Sequence, residues 1–206
     1  MNKKESNQKV LAFVGIIILL LAVVGVSYAA FQYSKTGEKV NTITTSTIVM
    51  SYNEITNGIN LVDAYPMSDA KGMSLSGTEA NKEQYFDFNV SVSISGDLTI
   101  NYTITATKEM GSTIPDSGIK VYLTSLEGNM ENQVLSPTLV SSLKKTDARD
   151  TEETGTPPNQ YLLKTDSFQK TGNRSYRLRM WIDQNYVGTA PSEIYKIRVN
   201  VYGKAK

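Results

Sequence analysis

The sequence of 206 residues contains no cysteine and no histidine, and each absence excludes a class of site. Without cysteine there is neither a disulfide nor a thiolate metal centre, although many exported bacterial proteins also lack it, so the compartment stays open. Without histidine, a zincin HExxH site, a Ser-His-Asp triad and a histidine general base are all excluded. Chemistry that uses only carboxylates or lysine remains as an alternative.

The charged residues are nearly balanced, and the formal net charge is +1. Lys3, Lys4, Lys9 and Glu5 precede a long apolar run, and without them the chain holds 18 basic and 19 acidic residues. This balance provides no basic surface for nucleic acid, so we expect no nucleic-acid partner.

The acidic residues form no recognisable metal or catalytic motif. None has the D-x-[DN]-x-[DN]-G spacing of a calcium loop, and we interpret four of them as solvated loop charges, namely Asp63, Asp69, Asp147 and Asp150. Asp87 and Asp183 fall on or beside predicted strands, and nothing excludes a hydrolase that uses carboxylates alone. We nevertheless predict no enzyme, no metal and no cofactor.

The N-terminus carries an apolar segment that predicts export. Val10 to Val26 reads "VLAFVGIIILLLAVVGV", which is 17 residues without charge, and the uncharged stretch continues to Phe31. A helix of about 20 apolar residues spans a membrane, whereas the apolar part of a signal peptide has about 7–15. The lysines before it predict a cytoplasmic N-terminus, so the chain after about residue 30 lies outside.

The end of the apolar segment resembles a signal-peptidase site. Ser27 and Ala29 are small residues at positions −3 and −1 of a cut before Ala30. Cleavage gives a secreted protein, and retention gives a transmembrane anchor through residues 10–31 on the outer face of the cytoplasmic membrane. A buried core helix is disfavoured by the basic flank. The predicted division is 1–29 signal peptide or anchor, 30–41 polar spacer or donor segment, and 42–206 β-sandwich domain.

Alternation of apolar and polar residues dominates the exported part. "YFDFNVSVSIS" and "LTINYTITA" alternate over their whole length, and the Ser95–Asp97 turn between them predicts a hairpin. Further strands are predicted in the stretches "TITTSTIVMSY", "INLVDAYPM", "IKVYLT", "QYLLKT", "SYRLRMWI" and "YKIRVNVYG". Seven or eight short strands of this kind predict an all-β fold, an antiparallel β-sandwich.

Three further interpretations concern the rest of the chain. Ser136 suits an N-cap and Pro137 a first helical position, which predicts a short helix through Leu143. The polar stretch from Lys144 to Gln160 predicts a surface loop. Trp181, the single tryptophan, lies on the polar side of its strand, where it either contacts a glycan or protein partner or packs under a loop.

The start of the chain, "GVSYAAFQYSKTGEKVNTITTSTIVMSY", resembles the TasA/camelysin family of bacterial matrix and surface proteins. The residues that match the family's cut region are Gly25, Tyr28, Ala29, Ala30 and Phe31. The following strand matches at Thr42, Ile43, Thr47 and Ile48, with Ile43 in place of Phe and Ser46 in place of Gly. The stretch "YFDFNVSVSISGDLTINYTI" is similar to the family's strand, turn and strand.

The resemblance implies a jelly-roll-like sandwich, cleavage by a dedicated signal peptidase and, as in some members, extracellular fibres. In such fibres an N-terminal segment of one subunit completes the sheet of the next by β-strand addition. Ala30, Phe31 and Tyr33 are the candidate donor residues here; alternatively they form a juxtamembrane spacer or the first strand of their own sheet. Camelysins have been described as metalloproteases, but a chain without histidine and cysteine offers no ordinary zinc site.

Two functions, which belong to different classes, are therefore expected. The first is an exported surface or biofilm-matrix structural protein that associates with itself or with other surface proteins. The alternative is a membrane-anchored extracellular module for binding or adhesion to a glycan or protein partner.

Overall fold

Strands dominate the structure, a computed structural model that describes residues 32–36, 41–44, 48–55, 59, 64–76, 84–188 and 193–206. Within these residues the strands are β1 (Gln32–Thr36), β2 (Asn41–Thr44), β3 (Ile48–Glu54), β4 (Phe86–Ile94), β5 (Ile100–Lys108), β6 (Ile119–Glu127), β7 (Met130–Leu139), β8 (Tyr161–Phe168), β9 (Gly172–Ile182) and β10 (Ile197–Ala205). The alternating stretches that predicted β2 to β6 and β8 to β10 are confirmed as strands.

These strands pair into two antiparallel sheets within the described residues. The four-stranded sheet has the order β1-β10-β5-β8, and the six-stranded sheet has the order β2-β3-β4-β9-β6-β7. Every pairing between these strands is antiparallel. Buried side chains from both sheets form one core, so the fold is all-β and sandwich-like, as predicted.

The core lies between the sheets because each long strand turns every second side chain toward it. The buried residues of β4 and β5 are Phe86, Phe88, Val90, Val92, Ile100, Tyr102, Ile104 and Ala106. Each fully buried large side chain stabilises the fold by roughly 1.5–3 kcal/mol. The hydroxyls of Tyr102 and Tyr176, one from each sheet, lie 2.6 Å apart and hydrogen-bond across the core. Burial raises the pKa of Tyr102 well above its ordinary range.

The predicted hairpin between β4 and β5 is wrong. β4 pairs with β3 and β9 in the six-stranded sheet, whereas β5 pairs with β10 and β8 in the four-stranded sheet. The connection at Ser95–Asp97 turns with Gly96 at φ +92° and crosses from one sheet to the other. Two alternating runs face a common core equally well within one sheet or across two, so alternation does not identify the pairing partner.

The predicted helix after Ser136 is also wrong. Ser136 and Pro137 belong to β7, and helical turns begin only in the 3-10 helix Val140–Ser142. β7 is the last strand of its sheet, and its register with β6 shifts between Val121 and Leu123. A proline that lacks a backbone N–H is tolerated at such an irregular edge.

The polar stretch predicted as a loop contains a helix, α2 (Ala148–Thr154). The Asp147 side chain accepts from the backbone N–H groups of Arg149 and Asp150, and the Asp150 side chain accepts from the backbone of Asp147. Gly155 ends the helix at φ +75°. This capping box and glycine end were signals in the sequence, and they compensate for the absence of an apolar stripe. Asp150 is therefore a buried cap and not a solvated charge.

A second segment outside the two sheets connects β3 to β4. It contains α1 (Asp69–Met73), and the described residues of the stretch predicted as a strand around 59–67 form only an isolated bridge from Met67 to Asp183. We call residues 64–76 the α1 strap, because they lie on the outer face of the six-stranded sheet. Residues 144–160 are called the α2 cover, because they lie on the outer face of the four-stranded sheet.

Candidate functional site: the strand edge at β1 and β10

Among the described strands, β1 forms one edge of the four-stranded sheet and pairs with one neighbour, β10. The antiparallel register runs from Gln32 opposite Lys204 to Thr36 opposite Asn200, with Tyr33 opposite Gly203. An edge strand has one row of unpaired backbone groups, and its removal would expose the corresponding row on β10. The edge is therefore a place where a strand from another chain could pair.

The core side of β10 is shaped by a glycine. A Cβ atom at Gly203 would lie 2.3 Å from Met50 Sδ and 2.9 Å from Met50 Cε, so a larger residue there would require the end of the Met50 side chain to move. Val199 and Val201 on the same side are buried. A glycine within the alternating run "RVNVYG" was the sequence signal for this contact, because glycine in a strand often marks a close approach.

The outer side of β10 is fixed by the α2 cover. Gln160 Nε2 donates to the Tyr202 hydroxyl at 2.9 Å, and Lys204 Nζ donates to the Glu152 carbonyl at 3.1 Å. Asn200 and Tyr202 are buried under this cover. Because β10 is also paired with β5 over its whole length, its position does not depend on β1. The strand that would receive a donor is held in place by the rest of the domain.

The sequence-predicted assembly residues divide between the described and undescribed parts of the chain. Ser27, Ala29, Ala30 and Phe31 lie outside the described residues, so the cleavage site and two of the three candidate donor residues stay predictions. Tyr33 lies in β1, which pairs with β10 of its own chain. That pairing agrees with the alternative that this segment is the first strand of its own sheet.

Trp181 does not form an exposed contact surface, which corrects the expectation of a stacking residue. Its side chain is 1% exposed and lies beneath the α1 strap. A Cβ at Gly72 would be 2.3 Å from Trp181 Cδ2, so the strap backbone rests directly on the indole. Met67 donates its backbone N–H to the Ile182 carbonyl at 3.0 Å beside it. The loop-packing alternative describes this residue.

Ion pairs surround Trp181 on the outer face of the six-stranded sheet. Arg177 forms a two-bond pair with Asp87, both at 2.7 Å, and Arg179 pairs with Glu131. Arg179 Nε also donates to the Leu75 carbonyl in the strap at 2.7 Å. The hydrogen bond from Arg179 lowers the pKa of Glu131. The bond from Arg179 to Leu75 holds the strap, whereas the ion pairs join β9 to β4 and β7. Their partners on different strands were not predictable from alternation.

A second ionic group lies at the end of the four-stranded sheet where β5 ends and β8 and β10 begin. Asp116 accepts from Tyr161 and from Tyr195 at 3.1 Å, and it pairs with Lys108 at 3.1 Å. Burial alone would raise the pKa of Asp116, but these hydrogen bonds lower it. Burial and the bond to Asp116 raise the pKa of Tyr161 to about 12. Every charge in this group has a partner, so the group is a structural anchor.

Among the described residues, no three or more acidic residues come together in a way that could hold a metal ion. The helices found in the same part of the chain are too short or too polar to cross a membrane, and the apolar segment 10–31 lies outside it.

Known proteins provide no match. Comparison of the chain with known protein families, with curated proteins and with solved structures found none that corresponds to it. The strand edge is therefore interpreted from its own geometry.

Proposed function

We propose that this chain is an exported surface or biofilm-matrix structural protein whose subunits join by β-strand addition. The observation that carries the proposal is the position of β1, which follows the predicted export segment directly. Of the strands that the structure describes, β1 pairs with β10 alone, at a sheet edge. In an assembly, the segment 30–41 of one subunit would occupy this edge in the next, where backbone hydrogen bonds supply affinity.

Two features of the fold support this proposal. β10 is anchored on both sides by β5 and the α2 cover, so a vacated edge would keep its shape. The crossing of the chain between sheets after β4 is compatible with the jelly-roll-like topology that the family resemblance implies. Under this proposal the mature protein starts near Ala30, is processed by a signal peptidase and is found outside the cell.

A disulfide trap tests the exchange, because the chain has no cysteine of its own. Gln32→Cys and Lys204→Cys place thiols at opposite positions of the β1–β10 pair. Oxidation of monomers before assembly should lock β1 in its own chain and prevent filaments, and reduction should restore them. Oxidation after assembly should produce covalent multimers on a non-reducing gel.

The control pair is Asn101→Cys with Ser167→Cys, opposite positions in β5 and β8. This pair should give cross-linked monomers both before and after assembly, and it should leave filament formation unchanged. Filaments whose Gln32→Cys and Lys204→Cys pairs yield only cross-linked monomers would exclude strand exchange. A truncation that lacks Ala30 to Lys39 should remain folded and monomeric.

A cavity favours the second candidate function, an anchored binding module. It has a volume of about 460 Å³ and is lined mainly by apolar side chains, among them Ile114, Ile119 and Met180, together with Glu193 and Lys196. It lies near the start of β10, whereas β1 begins opposite Lys204, close to the other end of β10. Retention of the protein in membranes with an intact N-terminus would support this candidate.

A further inference from the structure

Lys120, Asp69 and Asp183 meet beneath the α1 strap, where one amine contacts two carboxylates. Lys120 Nζ donates to Asp69 Oδ1 at 2.8 Å and to Asp69 Oδ2 at 3.0 Å. The same nitrogen lies 2.9 Å from Asp183 Oδ2. Lys120 belongs to β6, Asp183 follows the neighbouring strand β9, and Asp69 begins α1, so three elements converge on this amine.

The contact between Lys120 and Asp183 is largely buried. The Asp183 side chain is 6% exposed and the Lys120 side chain 17%. Asp183 Oδ1 accepts the Asn185 backbone N–H at 2.9 Å, and Asp183 Oδ2 lies 2.9 Å from Lys120 Nζ. The amine is therefore in direct contact with a carboxylate that is almost fully withdrawn from water.

We propose that Lys120 and Asp183 are joined by an isopeptide bond whose formation Asp69 assists. The Asp69 carboxylate accepts a proton from the Lys120 ammonium, and the free amine attacks Cγ of Asp183 in its acid form. An N–C bond forms, Asp69 gives its proton to the Asp183 hydroxyl, and the C–O bond breaks so that this oxygen leaves as water. The nitrogen then loses its second proton to Asp69. An ammonium and a carboxylic acid become one amide, one water and one proton that Asp69 holds, so no oxidant, metal or cofactor is needed.

The position of the group brings the reacting atoms together. Lys120 lies opposite the fully buried Trp181 in the β6–β9 pair, and the strap residue Gly72 rests on that indole. The Asp69 side chain is 43% exposed, so the water that is released can leave on that side. Fixed contact between the reacting groups replaces an encounter in solution. The resulting cross-link would join β6 to the end of β9 in a chain that has no disulfide.

The Lys108–Asp116 pair is the internal control. Its carboxylate accepts from Tyr161 and Tyr195 and lies 3.1 Å from Lys108 Nζ. Among the described ion pairs, no second carboxylate contacts Lys108 to accept its proton, so this pair should remain ionic. The two lysine–aspartate pairs of one molecule thus lead to opposite expectations.

Tryptic peptide mapping of the protein purified from its producing cells tests the proposal. An amide at Lys120 blocks cleavage there, so residues 109–144 should be recovered joined to residues 180–196, lighter than the two peptides together by one water. Cleavage after Lys108 should be normal. Fragment spectra should locate the bond between Lys120 and Asp183.

Variants separate the parts of the proposal. Lys120→Arg keeps the charge but cannot form the amide, and it should restore the full mass and a separate 180–196 peptide. Asp69→Asn should leave most of the protein unlinked, and complete linkage in that variant would overturn the role of Asp69. Recovery of free peptide 109–120 from the wild-type protein in full yield, or a bond to Asp69 instead, would overturn the cross-link itself.

Discussion

The α1 strap and the α2 cover protect the outer faces of the two sheets by different means. The strap closes over a buried indole, and Gly72 rests on Trp181 while Arg179 holds the Leu75 carbonyl. The cover uses neutral hydrogen bonds, in which Thr103 donates to Thr154 at 3.0 Å and Thr105 donates to Gln160. The strap therefore depends on one close fit, and the cover depends on several small contacts.

This difference has an energetic consequence. Most of the stabilisation that the strap provides should come from one buried side chain, Trp181. Each hydrogen bond of the cover contributes only about 0.5–1.5 kcal/mol net. Substitutions that destabilise the strap strongly should be concentrated at Trp181 and Gly72. In the cover, smaller losses of stability should be spread over its threonines, its caps and Gln160.

The largest expected effect is that of Trp181→Ala. Removal of a buried indole should lower the free energy of unfolding by about 3–5 kcal/mol, because it leaves a cavity under the strap. Urea denaturation followed by circular dichroism measures this loss. The matched variant in the cover, Thr154→Val, should cost about 1 kcal/mol. Equal losses in the two variants would contradict the contrast between a single close fit and a distributed network.

A smaller effect is expected from Asp147→Ala in the cover. The Asp147 side chain accepts two backbone N–H groups at the start of α2, and loss of such a cap costs about 1 kcal/mol. Asp147→Asn keeps an acceptor and should retain most of the stability. The fluorescence of Trp181 in the native state should not change in either variant. A red shift would mean that the cover and the strap are coupled.

The smallest effect is a pH dependence at Glu131 in β7, whose partner Arg179 also holds the strap. Arg179, and also Thr124, donate to Glu131 and lower its pKa, so the folded protein holds its carboxylate more strongly than the unfolded chain does. The contribution of Glu131 is complete above its unfolded pKa of about 4.3 and is lost as pH falls through the lower folded value.

Urea denaturation at pH values from about 6 down to about 3 measures this dependence. The stability of Glu131→Gln should decline less over that range than the stability of the wild type, because the variant has no carboxylate to protonate at that position. Identical slopes of unfolding free energy against pH for the two proteins would show that Glu131 does not cause the pH dependence.

Much of the secondary structure could be predicted from the sequence, because a half-buried strand needs only local alternation. β4 shows this most clearly, with buried Phe86, Phe88, Val90 and Val92 at every second position. The helix α2 was missed although its capping residues were visible, because its stability comes from caps and polar contacts and not from an apolar stripe.

The candidate edge was predictable only in part. The donor segment follows from the apolar run and the resemblance, but nothing local identifies β10 as the partner of β1. The Lys120 group was not predictable, because it joins residues 69, 120 and 183 from three separate elements. Contacts of this kind arise when strands distant in sequence become neighbours.

The sequence by itself determined that the chain carries a long apolar segment near its N-terminus, lacks histidine and cysteine chemistry and folds mainly as strands. Each of these properties depends on composition or on the spacing of near neighbours. The tertiary structure decided that β4 and β5 belong to different sheets, that Trp181 is buried under the strap and that Lys120 contacts Asp183. These depend on how the two sheets and their covers pack, and packing brings together residues whose separation along the chain carries no periodic signal.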